Sequence, residues 1–271
     1  MLFSVGLFLS FGWPLIPPAP KPEDKLVAEG VHIEGQAVGG LSAQEAGKIL
    51  TTLASAKDVS AVNAGFNPVT GSVIPERPGQ RIEISATLNE LLAAQAGSIV
   101  TPVYQSFLPE ITRDVLARSH LIGTFTTPIL DKSPGRLTNI RLTAKLVNNT
   151  LIAPGQEFSF NQVTGEPTEA RGFQPAIIFG DRGEEEQGLG GGMCQVSSTI
   201  YNAALAGELS VTERHPHSRP VAYVPPGKDA ATYTDKDLRF INTTRWRLLT
   251  RVFIHDESSQ LTVDLWALPD A

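Results

Sequence analysis

The chain has one cysteine, Cys194, among 271 residues. A single cysteine excludes an internal disulfide, so nothing in this fold is stapled. There is no basic excess: Lys and Arg number 22 against 28 Asp and Glu, the net charge is −6 and the pI is near 5.4. That balance argues against nucleic acid as a partner and against a polybasic membrane contact. No internal repeat stands out, and no low-complexity segment beyond one proline-rich stretch. Charged residues are 18% of the chain and hydrophobic residues 41%, which suits a folded body of one large or two modest domains.

Residues 1–16 contain no charge and are rich in Leu and Phe, with one Val, and a polar, proline-rich run over 17–25 follows. This pairing reads as a secretory signal or membrane anchor ahead of a tether. It lacks a basic leading region and a clean small-x-small cleavage site, and it is short against the ~20 residues of a full span. The expected organisation is therefore a signal or anchor remnant with linker over 1–28, a small α+β domain over 29–119 and a second domain over 120–271. An exported protein with one leftover cysteine carries either a reactive thiol or an intermolecular partner.

In the first domain, Ser42 with Glu45 forms a capping box, and Ala46, Ile49, Leu50 and Leu53 recur at helical spacing. Thr87 with Glu90 reads as a second capping box, with Leu88, Leu91 and Leu92 behind it. Asn67-Pro68-Val69-Thr70-Gly71 signals a hairpin. No residue here looks catalytic, and His32 reads as a strand-surface histidine. In the second domain, a helix is expected over Arg136–Val147 with Asn148-Asn149 as its C-cap. The acidic run Glu184-Glu185-Glu186 reads as a solvated hairpin tip. Alternation through Trp246, Leu248, Thr250, Val252 and Ile254, a turn at 256–259 and a return through Leu261, Val263 and Leu265 mark a C-terminal hairpin. The fold class expected is α+β: an antiparallel sheet with helices packed to one side.

Cys194 lies where a glycine turn, Gly188-Leu189-Gly190-Gly191-Gly192, feeds a helix. The first amides of a helix lack intrahelical partners and carry the positive end of its dipole, so a thiolate there is stabilised and its reactivity rises. The glycines permit close backbone approach and free N–H groups for an oxyanion. The competing reading of a lone cysteine is a small buried hydrophobe. A second cluster, Glu213-Arg214-His215-Pro216-His217-Ser218-Arg219, holds two of the five histidines. In an extended segment both point to one face, and Pro216 marks an edge or strand entrance. A histidine beside a cysteine at a helix N-terminus is a recurring thiol-enzyme arrangement, usually with a third polar group orienting the imidazole. Asp229 is the nearest candidate for that group, with Asn161 and Glu169 behind it. His217 is favoured over His215 as the base, because a regular strand can resume beyond Pro216. A zinc site from Cys194, His215 and His217 ranks last, since no further ligand motif accompanies them.

These motifs resemble the VanW family. The resemblance runs through Gly190-Gly191-Gly192-Met193-Cys194-Gln195-Val196-Ser197-Ser198-Thr199, the Glu213 to Ser218 run and Tyr223-Val224-Pro225-Pro226-Gly227-Lys228-Asp229-Ala230. It also includes Pro154 to Asn161, Glu169 to Phe173 and Asp237 to Phe240, and spans roughly 122–266. Met193 departs from the family's usual aliphatic residue, and 231–236 align less firmly. Residues 29–119 resemble, more loosely, the peptidoglycan-binding domain that often precedes VanW domains.

The resemblance implies an extracytoplasmic cell-wall protein, secreted or membrane-anchored through the N-terminal segment if that segment is uncleaved. The family is named through glycopeptide-resistance gene clusters, and some VanW-domain proteins are similar in activity to peptidoglycan L,D-transpeptidases. Carried over, Cys194 becomes the nucleophile on a stem-peptide carbonyl, His217 or His215 the base, and Gly191 and Gly192 the oxyanion donors. Arg171, Arg219 or Lys228 then holds a stem carboxylate, while Asn161, Tyr201, Ser197 and Ser198 line the site. No cofactor is expected, and the expected partner is peptidoglycan. The alternative is a non-catalytic wall-binding module.

Overall fold

The computed structural model describes residues 25–180 and 182–269. The apolar segment and nearly all of the proline-rich linker lie outside the described residues. No helix among the described residues is long and apolar enough to cross a membrane. In chain order the elements are β1 (His32–Ile33), β2 (Gln36–Ala37), α1 (Ala43–Lys57), β3 (Gly65–Phe66), β4 (Val73–Ile74), β5 (Gly79–Ile82), α2 (Ile84–Ala93), β6 (Ile99–Val100) and β7 (Tyr104–Phe107). They continue with α3 (Arg113–Ala117), β8 (His120–Pro128), α4 (Pro134–Val147), β9 (Leu151–Ile152), β10 (Glu157–Ser159), α5 (Phe160–Thr164), β11 (Pro175–Phe179) and β12 (Glu185–Leu189). The last are α6 (Met193–Ala206), β13 (Ser210–Glu213), β14 (Arg239–Ile241), β15 (Arg247–His255) and β16 (Gln260–Leu268).

Packing divides the chain into two compact units, 25–60 with 79–107 and 61–78 with 108–269. The linear cut expected at Ser119 is replaced by an interleaved one. The reason is hydrogen bonding at long range: the β3–β4 hairpin is held by the end of α4, where Asn148 and Asn149 both donate to the Phe66 carbonyl at 2.6 and 2.9 Å. Ile111 likewise pairs with Ala64 and Asn63.

In the first unit, Ser42 accepts from the Glu45 amide at 3.3 Å and the Glu45 carboxylate accepts from the Ser42 amide at 2.9 Å, closing the capping box that starts α1. Ala46, Leu50 and Leu53 point into a core with Val31, Ile33, Val38, Ile82 and Leu91. The second box does not form. Helix α2 begins three residues before Thr87, with Glu83 as its N-cap, and Thr87 is buried within it. Its hydroxyl instead accepts from the Val103 amide at 3.0 Å, a buried tertiary demand that outweighs the local capping signal.

The second unit is built on a four-stranded sheet in the order β8-β16-β15-β9, with every pairing antiparallel. Helices α4 and α6 pack on one face around Ile140, Ile200, Leu248, Val252, Val263 and Leu265. The fold class is therefore α+β. The other face is covered too: Leu249 and Leu268 pack with Phe66, Ile111, Val115 and Leu116. That explains why β15 is buried on both sides, where simple alternation predicts one wet face. Two smaller ladders flank this body. β10-β14-β13 carries the Asp237 to Phe240 motif, and β11–β12 is the hairpin predicted around the acidic run. α4 starts at Pro134, two residues earlier than its apolar pattern, because Pro suits the first helical turn.

Candidate active site

Helix α6 begins where the chain has no room for side chains. A Cβ on Gly191 would lie 2.6 Å from the Ile177 carbonyl oxygen. Gly192, the N-cap, has φ of 109°, and a Cβ there would lie 2.9 Å from the Ile140 side chain. Glycine is therefore required at both positions, and Cys194 follows as the helix's second residue. The amides of Gly191, Gly192 and Cys194 donate to no protein acceptor among the described residues, whereas those of Met193 and Gln195 are spent on Gly190 and Gly192 carbonyls.

A strap, residues 228–232, runs antiparallel along α6. Asn202 donates to the Lys228 carbonyl at 2.6 Å, and Ser197 to the Ala230 carbonyl at 2.6 Å. Ser198 accepts from the Ala230 amide at 2.9 Å, and the Thr232 amide lies 3.5 Å from the Cys194 sulfur. The match is metric: four helical residues rise about 6 Å, close to two extended residues at about 6.6 Å, so side chains one turn apart meet alternate strap residues. This register delivers Asp229 to His217 and Thr232 to Cys194.

Asp229 is buried and fully used. One carboxylate oxygen accepts from both the His217 amide and its Nδ1, each at 2.7 Å; the other accepts from Arg214 at 2.6 Å. Arg214 also donates to the Asp229 carbonyl at 2.6 Å. An ionised carboxylate only accepts, so Nδ1 carries the proton and Nε2 is the nitrogen left to face the thiol. Burial pushes the Asp229 carboxyl up, but His217 and Arg214 outweigh that and hold it below its usual value. Burial alone would lower the His217 pKa; interaction with Cys194 and Asp229 raises it. Burial likewise pushes the Cys194 thiol up, and the hydrogen bond and charge of His217, with the Thr232 contacts, bring it below the ordinary thiol value. Tyr223 closes this group: burial and the charge of Cys194 push its phenol up, so it stays protonated.

Cys194 and His217 open on a cleft of about 760 Å³, which is also lined by Arg136, Asn161, Phe179, Gly191, Gly192, Arg219, Tyr223 and Thr232. The remaining expected site residues divide between this cleft and its frame. His215 does not share a face with His217; it turns to Glu213 at 2.9 Å and pairs with Ala231. Nor does a strand resume after Pro216: β13 ends at Glu213, and His217 is held instead by its amide and Nδ1 bonds to Asp229. Cys194, His215 and His217 therefore do not converge, and no group of three or more His, Cys, Asp or Glu among the described residues is placed to hold a metal. Arg171 is spent on the carbonyls of Thr164 and Glu166, where it shapes the end of α5. Asn161 is in the cleft wall and pins the Tyr233 and Lys236 carbonyls at 2.7 and 3.0 Å. Arg219 stands at the cleft over the Phe179 ring and pairs with Glu185. Ser197 and Ser198 face the strap, and Tyr201 lies under the Arg214 guanidinium. Glu169 and Lys228 are exposed. The acidic run is partly β12 itself, with Glu185 and Glu186 in the ladder.

Arg214, Thr232, Tyr223 and Gln195 were not identified from sequence as site residues. Arg214 lies within the histidine run, which was its one available signal. Thr232 falls in the stretch with the least firm alignment.

The VanW like protein family profile matches residues 135–266, which contain the whole of this site. The uncharacterized protein YoaR of Bacillus subtilis is 34% identical, over 74% of this chain and 68% of that protein. The vancomycin B-type resistance protein VanW of Enterococcus faecalis is 29% identical over 30% of each chain. No solved structure matches significantly. The chain belongs to the VanW-like family.

Proposed function

We propose that this protein is an exported cysteine acyltransferase acting on peptidoglycan stem peptides, in the manner of an L,D-transpeptidase. The observation that carries the reading is the Cys194–His217–Asp229 relay at the start of α6, open to a cleft large enough for a peptide. In this reading the Cys194 thiolate attacks a peptide carbonyl and a C–S bond forms. The amides of Gly191, Gly192 and Cys194 are available for the resulting oxyanion. His217 Nε2–H gives its proton to the departing amine as the C–N bond breaks, leaving a thioester. An amine of a neighbouring stem, or water, then attacks the thioester while His217 takes its proton, and the thiolate leaves. Asp229 keeps Nδ1 protonated throughout, and Arg214 keeps Asp229 ionised.

The cell-wall substrate is supported by similarity to a protein named for vancomycin resistance. Export is supported by the uncharged apolar segment before the proline-rich run. The first unit, in which no residue reads as catalytic, is assigned wall binding. The alternative is that the whole protein binds wall without turnover.

The test is intact-protein mass spectrometry after incubation with a tetrapeptide stem, alongside a product assay. The wild type gains the mass of the stem less that of the released terminal amino acid, and Cys194→Ala gains nothing while keeping its circular dichroism. Turnover by Cys194→Ala overturns the enzyme reading. Absence of both adduct and product with every muropeptide, together with sedimentation on wall sacculi, establishes the binding alternative.

A further inference from the structure

Arg136 lines the cleft from the first turn of α4 and is half-buried. It stands apart from the neighbouring arginines. Arg171 is held by backbone carbonyls, Arg214 by Asp229 and Arg219 by Glu185. Arg136 makes no ion pair among the described residues. Its Nε is buried without a hydrogen-bond partner, and its one side-chain bond runs from Nη2 to Gln195 Oε1 at 3.0 Å. A guanidinium drawn partly out of water and left without a carboxylate is unfavourable unless an anion completes it.

The group is also aimed. Gln195 is fully buried, and its Nε2 donates to the Pro128 carbonyl at 2.9 Å and Thr127 Oγ1 at 3.1 Å. A carbonyl only accepts, so the Gln195 oxygen must be the atom turned to Arg136. The aliphatic stem of Arg136 packs against Gly192, whose missing Cβ would lie 3.1 Å from Arg136 Cγ. The cation is thus fixed beside Gly192 and Gln195 at the start of α6, in the same cleft wall as Cys194. In a peptide whose last bond is attacked, the anion within the same cleft is the carboxylate of the residue that departs.

Resting on the acyl-transfer reading above, we propose that Arg136 binds the free α-carboxylate of the leaving residue, so that the site accepts only the last peptide bond of a stem. Cys194 forms the C–S bond, the C–N bond breaks, and the terminal amino acid leaves with its amine protonated by His217 and its carboxylate on Arg136. Internal bonds of a cross-linked stem, which carry no such carboxylate, are excluded.

The test uses the full chain and two thiol reagents that differ in one group, N-bromoacetyl-D-alanine and its carboxamide. Wild-type Cys194 is expected to react faster with the free acid by about tenfold to a hundredfold, the worth of a charged hydrogen bond. In Arg136→Gln that ratio falls towards one, and Arg136→Lys retains part of it. A merely structural role would slow both reagents equally and leave the ratio unchanged, which overturns the proposal. If Arg136→Gln does not fold, the wild type decides: N-acetyl-D-alanine slows alkylation by iodoacetamide and N-acetyl-D-alaninamide does not. Equal effects of the two overturn it. Failure of the acyl-transfer reading is separate, because it shows as a Cys194 no faster towards iodoacetamide than a free thiol.

Discussion

In the first unit, the groups with shifted ionisation are Glu45 and Lys57, one in a capping box and one in an exposed ion pair with Glu34. In the second, they include Cys194, His217, Tyr223 and Asp229, which lie together, partly or wholly buried, at one cleft. Both units bury apolar side chains on helices packed over short ladders. The difference is that the second also buries charge, with Asp229 matched by Arg214 and His217 from a segment more than ten residues away. A paired surface charge stabilises by little, whereas a buried one left unpaired costs much, so a cluster of the second kind persists where the surrounding fold supplies all its partners. Perturbed groups gathered in a cleft are also where chemistry is expected.

The sharpest break of this contrast is His217→Ala. Removing the imidazole is expected to lower the rate of Cys194 alkylation and acylation at neutral pH by about a hundredfold to ten-thousandfold, the usual range for a catalytic base. His215→Ala should stay near wild type, because His215 is tied to Glu213 outside the cleft. Rapid-mixing iodoacetamide kinetics on both variants measure this, and equal losses would return His215 to the site. Asp229→Asn should follow closely in size, since an amide no longer enforces a proton on Nδ1 and leaves Arg214 without its carboxylate. A variant within tenfold of wild type in kcat would remove Asp229 from the relay.

The pH profile sharpens the same comparison. With His217 present, the thiol's pKa lies below the ordinary value, so the wild-type alkylation rate should level off with an inflection under the free-thiol value of about 8.5. In His217→Ala the two main lowering causes vanish and burial remains, which raises the pKa, so the inflection should move above that of a free thiol. An unchanged inflection would assign the depression to the helix terminus instead.

Smaller effects separate frame from chemistry. Ser198→Ala leaves the buried Ala230 amide without its acceptor and should cost about 1–3 kcal/mol in urea unfolding. It should also slow Cys194 alkylation, because the strap then holds Asp229 and Thr232 less firmly. Loss of stability with unaltered reactivity would show that the strap does not position the site. At the low end, Ser42→Ala removes a capping box and should cost the first unit about 0.5–2 kcal/mol. Cys194 reactivity should be unaffected, and a change there would mean that the two units share energetics.

Much of this molecule could be read before any coordinates. The capping box at Ser42, the turn at Asn67–Gly71, the C-terminal hairpin and the placement of Cys194 at the start of a helix all follow from interactions among residues a few positions apart. Such signals need only the local chain: side-chain spacing, glycine freedom and the unsatisfied amides of a helix end. The same local logic failed at Thr87, where the Val103 amide claimed the hydroxyl, and after Pro216, where no strand resumed. Tertiary structure alone decided which histidine meets the thiol, because Asp229 stands 12 residues from His217 and Thr232 stands 38 from Cys194, and both are delivered by one strap zipped onto α6. It alone showed that Arg171 is consumed by carbonyls while Arg136, which no motif drew attention to, is left without a counter-charge. Which polar groups pair is settled by the burial they share, and burial is a property of the packed chain rather than of any stretch of sequence.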